Sequence, residues 1–236
     1  MIYIQCKEDP KIPHHFDCAT AMYGAIESGQ KYKLIPYEDV ESGKFDMLIK
    51  DHLFVGSVEF MKEVFKRHNI SDVKVPKNSN RECEIITLKE AHKRVADGEY
   101  LFIKPIDIKL FTGLVLDGCQ YSCLTGLPDK TKVMAYKPFN SPLKSEWRIY
   151  VWNNEMIDSR HYSDDFRVSP DYNYVDEIIK ENKETFPKAY TIDIGILEND
   201  DNVVVEFNDM WAIGNYGMDN GEYLKLLKDR YFEIIK

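Results

Sequence analysis

The chain has 236 residues and a net charge of −9 at pH 7, so general binding of nucleic acid by a basic surface is not expected. Its 44% hydrophobic and 30% charged residues are typical of a globular protein with a substantial core. The five cysteines are an odd number, and neither a signal peptide nor an apolar run of about 20 residues is seen. These features predict reduced thiols, a cytoplasmic location and no membrane span.

The first 80 residues are predicted to form a small α/β domain. Strands are predicted at 2–6, 33–36 and 47–49, and helices at 16–28 and after Ser57, which is a suitable N-cap. This alternation predicts a partly parallel sheet. His14 and His15 are adjacent, so their side chains diverge, and a surface loop is expected for them. The polar segment 75–84 is the predicted linker.

Residues 81–236 are predicted to form the second domain, which opens with a helix capped by Thr87. Strands follow at 100–104 and 114–116, and the segment between them contains Lys104, Lys109, Thr112 and Gly113. A lysine at a strand end and the backbone N–H groups of a Thr-Gly loop suit a phosphate group. A surface hairpin with ordinary exposed lysines explains the same residues, and no Walker-type glycine loop decides between them.

Two strands are predicted around the Asn153-Asn154 turn. Alternation places Trp147, Ile149 and Val151 on one face of the first strand and Glu146, Arg148, Tyr150 and Trp152 on the other. An arginine beside aromatic side chains on a strand suits a phosphate or a carboxylate. It could equally form a structural ion pair with a carboxylate of the sheet. His161, in the second strand, is expected to be structural.

A hairpin over 190–207 follows a predicted helix at 170–186. If four turn residues are unpaired, Leu197 faces Asn202 and Asp193 faces Glu206, with Asn208 on the same face. Val203, Val205 and Phe207 are then expected on the opposite face. Two carboxylates and an amide oxygen suit a hard cation such as Mg²⁺, although an acidic hairpin is also compatible with a solvated sheet edge. A final helix at 222–235 is predicted to be a packing element.

The order of these segments resembles the ATP-grasp superfamily, and most closely a short bacterial and bacteriophage branch of it. The segments that carry the resemblance are FIKPIDIKLFTG (102–113), SEWRIYV (145–151), RHYSDD (160–165) and DIGILENDDNVVVEFNDMWAIGNYG (193–217), with a weaker one at VGSVEF (55–60). The resemblance implies an α/β (α+β) fold in which a small N-terminal α/β subdomain precedes a two-lobed ATP-grasp domain. Its antiparallel sheets would hold ATP.

The resemblance also implies roles for individual residues. Lys104 would contact the nucleotide phosphates, Lys109, Thr112 and Gly113 would belong to the loop that covers them, and Glu146 would lie on the nucleotide side. Arg148 would face the γ-phosphate or an acyl phosphate. Asp193, Glu206 and Asn208 would bind Mg²⁺. The glycine-rich phosphate loop of the family is reduced here to Phe111-Thr112-Gly113, so limited loop closure or dependence on Lys109 is expected.

The implied activity is an ATP- and Mg²⁺-dependent ligase that joins a carboxylate, on a small molecule or peptide, to an amine or thiol through an acyl phosphate. An ATP-dependent phosphotransferase and a non-catalytic nucleotide-sensing module are the alternatives. Segment 1–75 and residues 160–165 are expected at the substrate wall, and segment 208–217 is expected to leave the sheet and wrap the triphosphate or substrate.

Overall fold

The computed structural model describes residues 1–8, 12–70, 83–106, 110–119 and 121–236. The chain divides into two compact units, one made of residues 1–77 with 143–236 and the other of residues 78–142. The first and last segments of the chain therefore fold together. The predicted domain boundary near residue 80 stays a prediction.

Seventeen named helices and strands organise the described residues, together with short 3₁₀ turns at Asp46–Leu48 and Ser122–Leu124. In chain order they are β1 (Ile2–Gln5), α1 (Phe16–Glu27), β2 (Tyr32–Ile35), α2 (Tyr37–Glu41), β3 (Leu53–Val55), α3 (Val58–Arg67), β4 (Cys83–Thr87), α4 (Leu88–Ala96), β5 (Leu101–Pro105), β6 (Leu114–Leu116), β7 (Lys132–Tyr136), β8 (Leu143–Trp152), β9 (Glu155–Asp164), α5 (Tyr172–Asn182), β10 (Ala189–Leu197), β11 (Asn202–Asp209) and α6 (Asn220–Ile235).

The N-terminal segment contains a parallel sheet with the strand order β2-β1-β3, which confirms the predicted partly parallel sheet. The N-cap at Ser57 is also confirmed, because its Oγ accepts a hydrogen bond from Phe60 N at 3.2 Å. The strand predicted at 47–49 is wrong. Its apolar residues belong to a 3₁₀ turn that buries Ile49, and a run this short does not distinguish a strand from a helical turn.

The second sheet of this unit is antiparallel, with the order β11-β10-β8-β9. One face is covered by α5, whose Val175, Ile178 and Ile179 pack against the buried side chains of β8, β10 and β11. Helix α6 joins α1 and α3 in the core of the parallel sheet. A buried ion pair between Arg230 of α6 and Asp209, with Nε to Oδ1 at 2.7 Å, attaches this helix to the end of β11. The other face of the antiparallel sheet carries the polar side chains described below.

The unit of residues 78–142 is a four-stranded antiparallel sheet in the order β4-β7-β5-β6. Its core is formed with α4, which is capped by Thr87 Oγ1 as predicted. Residues 83–84 of the predicted linker are part of β4, while residues 75–82 lie outside the described residues. Mixed α/β architecture with antiparallel sheets confirms the predicted fold class. No helix in the described ranges is long and apolar enough to cross a membrane.

Candidate active site

The candidate site is on the face of β8, β10 and β11 that is turned away from α5. Ile149 and Val151 of β8 pack on the α5 side, so alternation turns Arg148 and Tyr150 to the opposite side, as predicted. Asp193 is the cross-strand partner of Arg148 on one side and of Glu206 on the other. The sheet therefore brings three predicted site residues into one row.

The pairing of β10 with β11 differs from the prediction near the turn. Ile196, instead of Leu197, is paired with Asn202, and a register shift next to Asp193 restores the predicted pair of Asp193 with Glu206. One extra residue on β11 accounts for the shift, which is the signature of a β-bulge.

The bulge also changes which valines face the core. Val204 and Phe207 are buried against α5. The methyl groups of Val203 and Val205 lie beside Gly195, within 3.3 and 3.1 Å of the position that a Cβ atom would take there. The prediction that Val203 and Val205 share the core face with Phe207 is therefore wrong, because the bulge interrupts the regular alternation.

Arg148 and Asp193 form a forked ion pair at the centre of the site. Arg148 Nε donates to Asp193 Oδ1 at 2.8 Å and Nη2 donates to Oδ2 at 2.7 Å. The two residues are 5% and 2% exposed. A guanidinium group has five N–H donors in a fixed plane, so this pairing fixes the direction of the remaining donors.

The third nitrogen of Arg148 connects the pair to the segment after β11. Nη1 donates to the carbonyl oxygen of Gly214 at 3.3 Å, and the hydroxyl of Tyr150 donates to the same oxygen at 2.7 Å. The strand ends at Asp209, so segment 208–217 leaves the sheet as predicted. Its suggested contact with triphosphate or substrate stays a prediction.

Two tyrosines cover the guanidinium group. The rings of Tyr162 and Tyr216 are stacked with centroids 4.9 Å apart, and Arg148 Cζ lies 4.8 Å from the centroid of Tyr216. The hydroxyl of Tyr162 donates to Glu146 Oε2 at 2.9 Å. Tyr216 has a left-handed backbone with φ of 45°, a conformation that a bulky residue adopts at a cost. The backbone is thus held in a strained form where the ring meets Arg148.

Burial raises the pKa of Asp193 to about 6, while the ion pair with Arg148 opposes this shift and the charges of Glu206 and Glu146 add to it. The carboxylate is therefore mostly ionised at neutral pH. The pKa of Arg148 is raised, because its hydrogen bonds and ion pair with Asp193 outweigh the opposing effect of burial. The pair is a charged pair at neutral pH, surrounded by further acidic groups.

The predicted metal ligands fit a hard cation in their chemistry. Asn208 Nδ2 lies 3.1 Å from Glu206 Oε1 and 3.4 Å from Asp193 Oδ2, so all three side chains meet. A half-turn of the amide would present its oxygen in place of its nitrogen, and the two are not distinguished by position. Within the described ranges, no group of three or more His, Cys, Asp or Glu side chains is arranged to hold a metal. A cation would therefore depend on Asn208 and on oxygens from outside the protein.

Lys104 lies in the other unit, on the face of its sheet opposite α4. Its Nζ is 5.5 Å from the ring centroid of Tyr136, and the Tyr136 ring centroid is 6.0 Å from that of Phe102. Ile85 and Val115, on the strands to either side, are 64% and 42% exposed. This face combines one cationic side chain with accessible apolar surface.

The remaining predicted residues of this unit are not assembled into a recognisable phosphate site. Thr112 is exposed and Gly113 is half-buried. A Cβ atom at Gly113 would come within 2.6 Å of the Phe102 ring, so glycine permits this close approach. Lys109 lies outside the described residues.

Sequence reasoning misses several contacts of the charged pair. Alternation places Tyr150 on the correct face without indicating its role, and no motif singles out Tyr162, Gly214 or Tyr216. The available signal for Tyr216 is its position in the glycine-flanked sequence Gly214–Gly217, which is typical of an irregular segment with a specific conformation. Contacts between residues so distant in sequence could not be read from spacing.

Residues 79–226 match the sequence model of an ATP-grasp domain family, the second family of its clade. The chain belongs to this family. Membership confirms the predicted superfamily and, at the level of the family, the predicted enzyme type, an ATP-dependent ligase of the ATP-grasp type. A search of curated proteins finds no significant match.

Solved structures similar to this ATP-grasp protein include D-cycloserine synthetase DcsG, with a TM-score of 0.60 and 9% identity over 100% of both chains. N5-carboxyaminoimidazole synthetase from Staphylococcus aureus complexed with ADP has a TM-score of 0.60 and 11% identity, covering 98% of this chain and 76% of that one. The ATP-grasp ligase PsnB with minimal precursor, Mg and ADP has a TM-score of 0.53 and 11% identity, covering 98% and 97%. At these identities the likeness shows the fold.

Proposed function

We propose that this protein is an ATP- and Mg²⁺-dependent ligase that activates a carboxylate as an acyl phosphate and transfers the acyl group to an amine or thiol. The observation that supports this proposal is the buried pair of Arg148 and Asp193, adjoined by Glu206 and Asn208. Burying charges is costly unless they are paired. A cluster of this composition is useful where the charge of a transferring phosphoryl group must be neutralised.

The proposed reaction has two steps. An oxygen of the substrate carboxylate attacks the γ-phosphorus of ATP, the bond to the bridging oxygen breaks, and ADP leaves. The amine nitrogen then attacks the acyl carbon, the carbon–oxygen bond to phosphate breaks, and the nitrogen loses a proton. Neither step needs a covalent protein nucleophile.

Arg148 is the proposed electrostatic catalyst in this sequence. Its hydrogen bonds, two to Asp193 and one to Gly214, hold the guanidinium group in a fixed orientation. Each terminal nitrogen has one further N–H by its chemistry. These donors are proposed to bind the transferring phosphoryl group or the acyl phosphate.

Asp193, Glu206 and Asn208 would hold Mg²⁺, since together they provide oxygen ligands for a hard cation. When bound, the ion would supply charge neutralisation on the phosphate oxygens. The ionised state of Asp193 at neutral pH is consistent with this role.

The nucleotide is proposed to bind Lys104 through its phosphates, with Lys109, Thr112 and Gly113 acting as the covering loop and Glu146 on the nucleotide side. Support comes from the cationic Nζ of Lys104 beside Phe102 and Tyr136, since a purine ring favours aromatic and apolar surface. The carboxylate substrate is proposed to be a small molecule or a peptide. One similar solved structure, that of PsnB, is a complex with a precursor peptide, PsnA2.

The proposal is tested by incubating the full chain with ATP, MgCl₂, pooled amino acids or peptides and hydroxylamine. ADP release together with hydroxamate formation is expected, because hydroxylamine captures an acyl phosphate. Glu206→Gln should lower ADP release about 100-fold or more. Glu198→Gln, the same substitution at an exposed position of the same hairpin, should leave it unchanged.

A stable phosphorylated product without hydroxamate would replace the ligase by the phosphotransferase alternative. Tight ATP binding without turnover across the substrate pools would indicate the nucleotide-sensing module. Equal activity of the Glu206→Gln variant and the wild-type protein would refute the proposed site.

A further inference from the structure

A cavity of about 310 Å³ lies within the unit of residues 1–77 and 143–236. It is situated at the carboxyl ends of β1 and β3, where the strand order β2-β1-β3 changes direction. In open parallel sheets this change of direction leaves a crevice in which ligands bind. The lining residues are His15, Asp17, Val55, Gly56, Ser57, Val58, Glu59, Trp211, Ala212, Ile213, Gly214, Tyr223 and Leu227.

The cavity shares Gly214 with the charged pair. The carbonyl oxygen of Gly214 accepts hydrogen bonds from Arg148 and Tyr150, and its residue also lines the cavity. Asp17, another lining residue, accepts a hydrogen bond from the backbone N of Asn215 at 2.8 Å. A molecule in this cavity would therefore be next to the segment that adjoins Arg148.

The charged lining residues favour a cationic ligand. Asp17 and Glu59 are acidic, and the described residues that line the cavity include neither lysine nor arginine. Burial lowers the pKa of His15, so its ring is mostly neutral at pH 7. The first turns of α1 and α3 face positive ends of helix dipoles towards this region, but each of these turns already carries an acidic residue, Asp17 or Glu59.

Two polar ring nitrogens of the lining are available to a ligand. Trp211 Nε1 and His15 Nδ1 are buried atoms without a hydrogen-bond partner within the described ranges, although His15 Nδ1 lies 3.4 Å from Asp17 Oδ2. Buried polar atoms are usually hydrogen-bonded. The apolar surface of Val55, Ile213 and Leu227 completes the lining.

We infer that this cavity binds the amine substrate of the ligase, an unbranched or branched aliphatic primary amine such as that of an amino acid or a peptide N-terminus. The inference rests on the proposed function, and it assigns Asp17 and Glu59 to the recognition of the ammonium group. The apolar walls take the aliphatic part, and the amine reaches the acyl carbon from the Gly214 side.

The binding test uses the ¹⁵N-labelled full chain without ATP. The probes are 3-methylbutylamine and 3-methylbutanoate, which share a carbon skeleton and differ in charge. The amine is expected to shift the indole N–H resonance of Trp211, which is identified by its loss in Trp211→Phe. The carboxylate is expected to leave it in place.

Glu59→Gln should weaken binding of the amine about fivefold, the effect of one partly exposed charge pair. Glu90→Gln is the matched control, since Glu90 is also an exposed acid in the first turn of a helix and lies in the other unit. Its amine affinity should equal that of the wild-type protein. Because Glu59 is exposed, both variants are expected to fold, which circular dichroism checks.

The inference is overturned if neither probe shifts the Trp211 resonance, if both shift it equally, or if Glu59→Gln binds the amine as tightly as the control. The hydroxamate assay tests the proposed function without any need for this cavity. Hydroxamate formation combined with an unchanged Trp211 resonance would therefore refute the amine cavity and leave the ligase intact. The reverse result would refute the ligase while the cavity stands as an amine site.

Discussion

Arg148 and Asp193 face each other across β8 and β10 and are joined by two hydrogen bonds of 2.8 and 2.7 Å in a nearly dry environment. The sequence left open whether Arg148 would pair with a sheet carboxylate or bind a phosphate group. The structure shows the ion pair, and it leaves donors of the guanidinium group over for a ligand. The structural and catalytic roles of this arginine can be separated by experiment.

Arg148→Met is expected to lower the free energy of unfolding by about 3–5 kcal/mol, because it leaves the Asp193 carboxylate buried without its partner. The double variant Arg148→Met/Asp193→Leu removes both charges and should recover most of that loss. Urea denaturation followed by circular dichroism measures both effects. ADP release should be absent from both variants, since the restored stability does not restore the charges.

Two results would contradict this separation of roles. A double variant that is stable and also active would show that the pair has no part in catalysis. A double variant as unstable as Arg148→Met would show that packing, and not the unpaired charge, causes the loss.

The titration of Asp193 is expected to have its midpoint near pH 6 in the folded protein, against an ordinary value of 3.8. The folded state then keeps a proton that the unfolded state has lost between about pH 4 and 6. By linkage, the contribution of this group to the free energy of unfolding falls as pH rises through that window. Carboxyl ¹³C NMR of aspartate-labelled protein measures the midpoint, and Asp193→Asn identifies the resonance.

Bound Mg²⁺ and an ATP analogue should move this midpoint to lower pH, because a cation favours the ionised carboxylate. Affinity for the metal–nucleotide complex should consequently rise with pH up to about 6 and level off above it. A midpoint that is unchanged when the complex is bound would exclude Asp193 from the metal site.

Glu206→Gln is expected to raise the Mg²⁺ concentration needed for half-maximal ADP release by about tenfold or more. Glu206 is half-buried and its carboxylate is within 3.1 Å of Asn208 Nδ2, so the melting temperature should change little. The measurement is ADP release titrated with MgCl₂ at saturating ATP. Glu198→Gln, in the turn of the same hairpin, should have the Mg²⁺ dependence of the wild-type protein, and a shared change would rule out a local metal effect.

Lys104→Met is expected to weaken binding of an ATP analogue about tenfold or more, since a hydrogen bond to a charged group contributes about 1.5–3 kcal/mol. Methionine retains the aliphatic contact of the side chain with the Tyr136 ring. Isothermal titration calorimetry measures the affinity. Lys132→Met, at an exposed position on β7, is the control, and equal losses in the two variants would indicate only a general effect of charge.

The sequence predicted best what depends on periodicity and local capping. Alternation placed Arg148 and Tyr150 on one face, and the oxygen atoms of Ser57 and Thr87 cap the helices they were expected to cap. It failed where the backbone departs from regular geometry. The bulge beside Asp193 turned Val203 and Val205 from the core, and no residue type in VVVEF (203–207) marks that insertion.

The cavity was beyond sequence reasoning for a different reason. His15 was expected in a surface loop, yet it lines a cavity together with Trp211, which is almost the whole chain away in sequence. The enclosure depends on the packing of α1, α3 and α6, and that packing follows from side-chain shape more than from pattern.

Asn215 provides the last prediction, because it holds the segment that joins the charged pair to the cavity. It is 1% exposed, its Nδ2 donates to Thr20 Oγ1 at 2.6 Å, and its Oδ1 accepts from Gly217 N at 3.2 Å. Asn215→Ala should lower the free energy of unfolding by about 1–3 kcal/mol, because buried partners lose their hydrogen bonds. It should also reduce kcat more than the KM for ATP, since the Gly214 carbonyl no longer holds Arg148 in place. Asn220→Ala is the control: Asn220 also contacts α1, through Glu27 at 2.8 Å, but on the exposed surface, so its kcat should match wild type, and a similar fall in both variants would assign the effect to general loosening of α1.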